Sequence, residues 1–287
     1  MTTDTRLILP VRERTPLAEE GSVQFIGNAT VLIRYAGMTI LTDPTFIHRH
    51  EQVSIGYGMH STRLVDPAME IQDLPPLDLI LLSHFHGDHF DQVAERDLDK
   101  STPIITNDQA ANELQQRGFR YAKPIATWSS VAVEKGELRL RITSMPGRHG
   151  PPLSDLVMPE VMGTMLEFKR LGGTPFCIYI TGDTLVFDDL NDIPSRHPDI
   201  DLALLHLGGT RVLGILVTMD AKQGVELLKL VRPHLAIPIH YNDYDVFTSP
   251  LADFEKEVAE AGWQDRVRYL RHGEIYPFHA SGNRAAA

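Results

Sequence analysis

The sequence predicts an α/β domain of four layers, with two β-sheets packed inside two layers of helices. Three observations predict it. Short apolar runs of strand length are followed by helical stretches, and this grammar appears twice along the 287 residues. No shift of composition marks a linker between the two passes. Residues able to bind metal recur where strands end, at His84, His149, Asp183 and His240, as an α/β site built on one rim requires.

Taken in order, residues 1–20 read as a polar N-terminal arm, residues 21–279 as one domain and residues 280–287 as a small, frayed tail. Val23 to Tyr35 and Met38 to Thr42 read as two strands joined by a tight turn at Ala36-Gly37. Asp43-Pro44 stops the second, because proline cannot donate to a ladder. Residues 45–75 are irregular, and a connection of that length usually carries function. Leu77 to Leu82 is a buried strand; Asp91 then caps a polar helix, and Pro103 to Thr106 is a short strand before a helix that stops at Gly118. In the second pass Val131 to Val133, Leu138 to Ser144, Gly163 to Phe168, Phe176 to Thr181, Ile200 to Leu205 and Leu235 to Ile239 are strands. Ala221 to Val231 and Pro250 to Ala261 are helices, and Val267 to Leu270 reads as the last strand.

Ser83-His84-Phe85-His86-Gly87-Asp88-His89-Phe90 follows directly on one of these strands. In extended chain, residues two apart face the same way, so His84 and His86 can hold one ion together. Gly87 lets the chain turn and aim Asp88 and His89 at a second. Imidazole with carboxylate suits zinc first, with manganese or iron as alternatives.

Composition narrows the function classes. A formal net charge of −11 argues against a face built for nucleic-acid phosphates and favours a small-molecule substrate held in a local site. Cys177 is the only cysteine, which excludes an intrachain disulfide and a cysteine-rich zinc module. No apolar run reaches signal-peptide or membrane-span length, so the expectation is a cytoplasmic chain without stable membrane insertion. Oligomerisation is left open.

With these residues in view, the chain resembles the metallo-β-lactamase-fold hydrolases over roughly residues 21–279. The resemblance rests on Asp43 after a strand, His84-x-His86-x-Asp88-His89, His149, Asp183 in Thr-Gly-Asp-Thr and the late His240. It implies the αββα fold with the site at one edge of the paired sheets. It further implies that His84, His86 and His149 hold one of two divalent metal ions, that Asp88, His89 and His240 hold the other, and that Asp183 bridges them. Asp43 would orient a ligand from behind. The implied activity is hydrolysis of a small ester, lactone or phosphodiester by a metal-bridging hydroxide, which Asp88 also orients. Tyr241 and Arg148 are the candidate substrate contacts, while His206 reads as a structural histidine before a glycine turn.

Within the superfamily, Ile40-Leu41-Thr42-Asp43-Pro44 and Pro238-Ile239-His240-Tyr241 look most like the ascorbate-6-phosphate lactonase and N-acyl-phosphatidylethanolamine phospholipase branch. Glyoxalase II has its histidine directly after Pro-Gly, whereas Arg148 intervenes here. Two further readings stand beside the hydrolase: an iron-dependent, oxygen-using enzyme like a persulfide dioxygenase, and a non-catalytic metal-binding protein.

Overall fold

The computed structural model describes residues 5–11, 20–56, 58–152, 158–169 and 175–280. One seven-stranded sheet has the spatial order β18 (Ile275–His279), β2 (Glu20–Gly27), β3 (Thr30–Tyr35), β4 (Met38–Thr42), β7 (Leu79–Leu81), β8 (Ile104–Thr106), β9 (Ala122–Pro124). The other, also seven-stranded, runs β1 (Thr5–Ile8), β10 (Ser130–Lys135), β11 (Leu138–Pro146), β12 (Met162–Lys169), β13 (Phe176–Ile180), β14 (Leu202–His206), β17 (Leu235–Ile239). Two small hairpins stand outside them, β5 (Gln52–Ser54) with β6 (His60–Thr62) and β15 (Arg211–Val212) with β16 (Ile215–Leu216).

Alternation along the strands decides the layering. Leu79 and Leu81 face a core between the sheets, while Ile80 and Leu82 face the helices α1 (Gln92–Asp97) and α2 (Asp108–Gln116). In the second sheet Ile178, Ile180, Leu202 and Leu204 join that central core. Their alternates Cys177, Tyr179, Ala203 and Leu205 pack with α4 (Ala221–Val231) and α5 (Leu251–Ala261), and Ile193 of α3 (Ile193–Arg196) joins them. Because side chains alternate with period two, a strand buried on both faces is apolar throughout, as these sequences are. The four-layer α/β order is the one expected. Among the described residues no helix is long and apolar enough to cross a membrane.

Strand direction places the site. β4 and β7 are parallel, as are β13, β14 and β17, so the segments that follow them leave the same edge of each sheet. Asp43, the His84–His89 motif, Asp183 and His240 all follow those strand ends, where open α/β sheets build their sites.

Several sequence expectations need correction. Val23 to Tyr35 is two strands, because Asn28 takes a left-handed φ of 52° and turns the chain between β2 and β3. Val267 to Leu270 makes only an isolated bridge from Val267 to Ala236, and the last strand is β18, paired with β2. The N-terminal arm contributes β1, which pairs in parallel with β10. From residue 281 the expected tail lies outside the described residues.

Asp91 caps α1 and also stitches the long connection to it. One carboxylate oxygen accepts from Val93 N at 3.0 Å and Ala94 N at 2.8 Å. The other accepts from Phe46 N and, at 2.6 Å, from Ile47 N. Asp91→Ala strands four main-chain donors at a site only 1% exposed. At about 1–3 kcal/mol for each buried polar group left unpaired, we expect a loss of about 3 kcal/mol in urea unfolding, less for Asp91→Asn. A change below about 0.5 kcal/mol would show that the stitch is redundant.

Candidate metal centre

The centre is assembled from both sheets. His84, His86, Asp88 and His89 come from the loop after β7, His149 from the chain after β11, Asp183 from the turn after β13 and His240 from the residue after β17. Gly87 is required here for a reason other than the sharp turn expected of it. A Cβ at this position would sit 2.7 Å from the Ser54 carbonyl oxygen, which accepts from Gly87 N at 2.9 Å. The motif therefore packs against main chain of the 45–63 segment.

Ligand atoms of His84, His86 and His149 lie within 4.8 Å of one another, and so do those of Asp88, His89 and His240. Asp183 falls in a third such group with His84 and His89. Its Oδ2 lies 3.4 Å from His89 Nε2 and its Oδ1 3.4 Å from His240 Nδ1. The expected ligands are thus brought together.

Hydrogen bonds fix the tautomers. His149 Nδ1 donates to Val217 O at 2.9 Å and His240 Nδ1 to Leu207 O at 3.1 Å. Ser83 Oγ donates to Asp43 Oδ1 at 2.9 Å and accepts from His84 Nδ1 at 3.1 Å and His89 Nδ1 at 3.2 Å. One hydroxyl has one donor and two lone pairs, so this arrangement uses all three. His84, His89, His149 and His240 are each left with an Nε2 lone pair. Those of His89 and His240 face each other at 3.1 Å, and His84 Nε2 lies 3.1 Å from His86 Nδ1. Two facing lone pairs repel unless a cation or a proton sits between them. Zinc–nitrogen bonds of about 2.0–2.1 Å place tetrahedral ligands about 3.4 Å apart, close to these spacings. Asp88 Oδ1 and Asp183 Oδ1 are buried without a hydrogen-bond partner, a costly state for carboxylates that cation binding relieves. The residues fit divalent metal.

The electrostatics divide the centre in two. Burial pushes His84 well below its ordinary value, His86 down to about 4, and His149 down as well. For His89, burial is outweighed by the carboxylates of Asp183 and Asp88, and its pKa is well above the usual range. His240 is raised in the same way, chiefly by Asp183. Without metal, burial favours the neutral rings in one triad and the carboxylates favour protonated rings in the other.

Asp43 lies behind the ligands. Burial pushes its carboxyl up, but hydrogen bonds to His206 and His89 outweigh that and hold it down at about 2. Its Oδ1 accepts from Ser83 N at 2.7 Å, and Oδ2 lies 3.4 Å from His206 Nε2. His206, expected as a structural histidine, is part of this backing layer. Asp43 and His240 have φ of 36° and 61°, a backbone conformation strained for residues with a side chain.

The two expected substrate contacts fare differently. Tyr241 is buried in the cluster beneath α4 and α5, and its hydroxyl donates to Leu270 O at 3.4 Å. Its apolar ring and single donor are committed to packing, which corrects the substrate-binding expectation. The Arg148 guanidinium lies 4.2 Å over the Phe187 ring. Sequence reading missed Ser83 and Asn28. The signals were Ser83 immediately before the first histidine and the Gly27-Asn28 pair, a turn dipeptide between apolar runs.

With an αββα fold and two adjoining triads of metal-binding side chains at its edge, the chain matches the β-lactamase superfamily domain over residues 38–241, and it belongs to that family. It is a metal-dependent hydrolase of the superfamily. The curated relatives include a UPF0173 metal-dependent hydrolase of Archaeoglobus fulgidus, 30% identical over 70% of this chain and 82% of that protein. Another, from Thermus thermophilus, is 29% identical over 88% of this chain and 97% of its own length. Among solved structures, an isothiocyanate hydrolase from Delia radicum gut bacteria superposes with a TM-score of 0.74. It is 22% identical, and the match covers 90% of this chain and 99% of that one.

Proposed function

We propose that the protein uses two divalent ions, zinc first, to hydrolyse a small ester, lactone or phosphodiester. The observation that carries this reading is the pair of adjoining triads, whose facing nitrogens and unpartnered carboxylate oxygens leave room for cations between them. His84, His86 and His149 would hold one ion, Asp88, His89 and His240 the other, with Asp183 between. When bound, such a pair supplies a nucleophile from water at neutral pH and stabilises charge on the substrate oxygen.

The chain's own groups do the rest. Asp88 Oδ1, buried and without a partner, takes the proton as water attacks. Thr218 Oγ1 donates to Asp183 Oδ2 at 3.1 Å and keeps that carboxylate turned towards the ligands. Ser83 and Asp43 hold the His84 and His89 rings in one tautomer, which spares reorganisation during the reaction. Arg148 is the cation we assign to an anionic substituent of the substrate. Substrate shape falls to the 45–63 segment and to the β15–β16 hairpin, whose Leu213 is 95% exposed. The resemblance to the lactonase and phospholipase branch supports the choice of bonds.

The test is elemental analysis of the purified protein, paired with turnover of lactone, carboxylester and bis-phosphate-ester probes and with an oxygen electrode. We expect close to two zinc or manganese ions per chain and hydrolysis of one probe class. Bound iron with oxygen uptake and no hydrolysis would overturn this reading in favour of the persulfide-dioxygenase-like one. A chain that takes up no metal would sink both.

A further inference from the structure

Asn28 is fully buried, holds a left-handed φ of 52° and touches neither triad through a ligand atom. Its two polar ends nevertheless reach two proposed ligands of the same ion. The side-chain amide donates from Nδ2 to the Asp88 carbonyl oxygen at 2.6 Å. Its own carbonyl oxygen accepts from His240 N at 2.9 Å. Asp88 and His240 come from opposite sheets, and Asp88 Oδ2 lies 3.5 Å from His240 Nε2. Asn28 is therefore a single-residue strut between the main chains of Asp88 and His240.

The strut is braced from behind. A Cβ on Gly27 would lie 3.0 Å from Arg63 Nη2 and 3.0 Å from Asp243 Oδ1, and the φ of 147° there favours glycine. Arg63 and Asp243 are both fully buried, with Nη2 3.8 Å from Oδ1. His272 Nε2 donates to Asp243 Oδ1 at 2.8 Å, and Leu64 N donates to Asp243 O at 2.7 Å. A buried ion pair adds little net stability but defines geometry well, because breaking it leaves a bare charge. Here it lies directly against the Gly27-Asn28 turn, with Asp243 contributed by the segment just beyond His240.

We propose that Asn28 is a positioning residue that sets the separation of Asp88 and His240 and thereby the metal affinity of that subsite alone. The inference rests on the two-ion reading. Among the described residues, no hydrogen bond joins Asn28 to His84, His86 or His149. Its removal should therefore weaken one ion and spare the other.

Asn28→Gly is the clean probe. Glycine keeps the left-handed turn without steric cost and retains the carbonyl that receives His240 N, while the amide is deleted. Zinc is titrated into metal-free wild-type and variant chains against a chromophoric chelator, with thermal melts of both metal-free proteins alongside. We expect one of the two zinc affinities to fall about 10–100-fold, the range for outer supports of metal ligands, with the other unchanged. Probe turnover should be recovered by excess zinc with KM unaltered. Asn28→Asp, isosteric but with an oxygen facing the Asp88 carbonyl, should lose at least as much.

Two zinc affinities equal to wild type in Asn28→Gly would overturn the assignment while leaving the two-ion reading intact. A parallel loss at both subsites with a lowered metal-free melting temperature would reduce Asn28 to a structural role. A wild-type chain that binds one ion only would remove both proposals together.

Discussion

Asp88→Asn is expected to lower kcat/KM on the favoured probe by about 10²–10⁴-fold, the range for loss of a positioned proton acceptor. One ion should remain bound at His84, His86 and His149. The carboxylate Oδ2 lies 3.5 Å from His240 Nε2 and 3.9 Å from His89 Nε2, so it belongs to their triad. Among the described residues Oδ1 has no hydrogen-bond partner. An amide keeps the volume, and the carbonyl that receives Asn28 Nδ2 is untouched, so the fold should hold. What is lost is an anionic ligand oxygen and a basic atom beside it. Metal content, melting temperature and kcat/KM together check this. Wild-type turnover would refute the proton-accepting role, and loss of both ions would show that the triads do not load separately.

The second large effect is a difference between the triads in pH response. Metal binds only the deprotonated ring nitrogen. His84, His86 and His149 are depressed by burial, His86 to about 4, so at neutral pH they are already unprotonated and loading releases nothing. His89 is held well above, and His240 above, the ordinary histidine value by the nearby carboxylates, so without metal these rings keep their protons to higher pH than free imidazoles do. An ion must displace them. Its affinity should therefore rise with pH, about tenfold per unit for each proton released, until the pH passes the raised values. Zinc titrations at about pH 6 and pH 7 should show one affinity nearly constant and the other at least tenfold tighter at the higher pH. Equal slopes for both ions would contradict the division.

What was legible in the chain was local. The spacing of His84, His86, Asp88 and His89 is a property of eight consecutive residues, and their common rim follows from parallel strands whose ends turn the same way. The apolar runs gave the layers, since a strand buried on both faces has nothing polar to interrupt it. The turn at Gly27-Asn28 was easy to pass over because it is only two residues long and sits inside an apolar run that reads on as one strand. β18 was hidden for the opposite reason. It contains Pro277, and Phe278 alone of its five residues is fully buried. Arg63 and Asp243 were illegible because they lie far apart in sequence. A buried arginine looks like a surface one until the fold closes over it. Tyr241 misled because adjacency to His240 in sequence says nothing about direction when the histidine itself occupies a left-handed turn.

The two edge strands at the ends of the described chain belong to each other's halves. Thr5 pairs with Val131 in the sheet built mainly from later residues, and Ile275 pairs with Gln24 in the sheet built mainly from earlier ones. During synthesis the earlier sheet waits for its outermost strand until nearly the last described residue has emerged, and β1 waits longer than 100 residues for β10. Such pairings are the slow ones, since the chain must close a large loop before any contact rewards it. Neither half is expected to mature ahead of the other on the ribosome, and a nascent chain halted before residue 275 carries an open strand edge along β2.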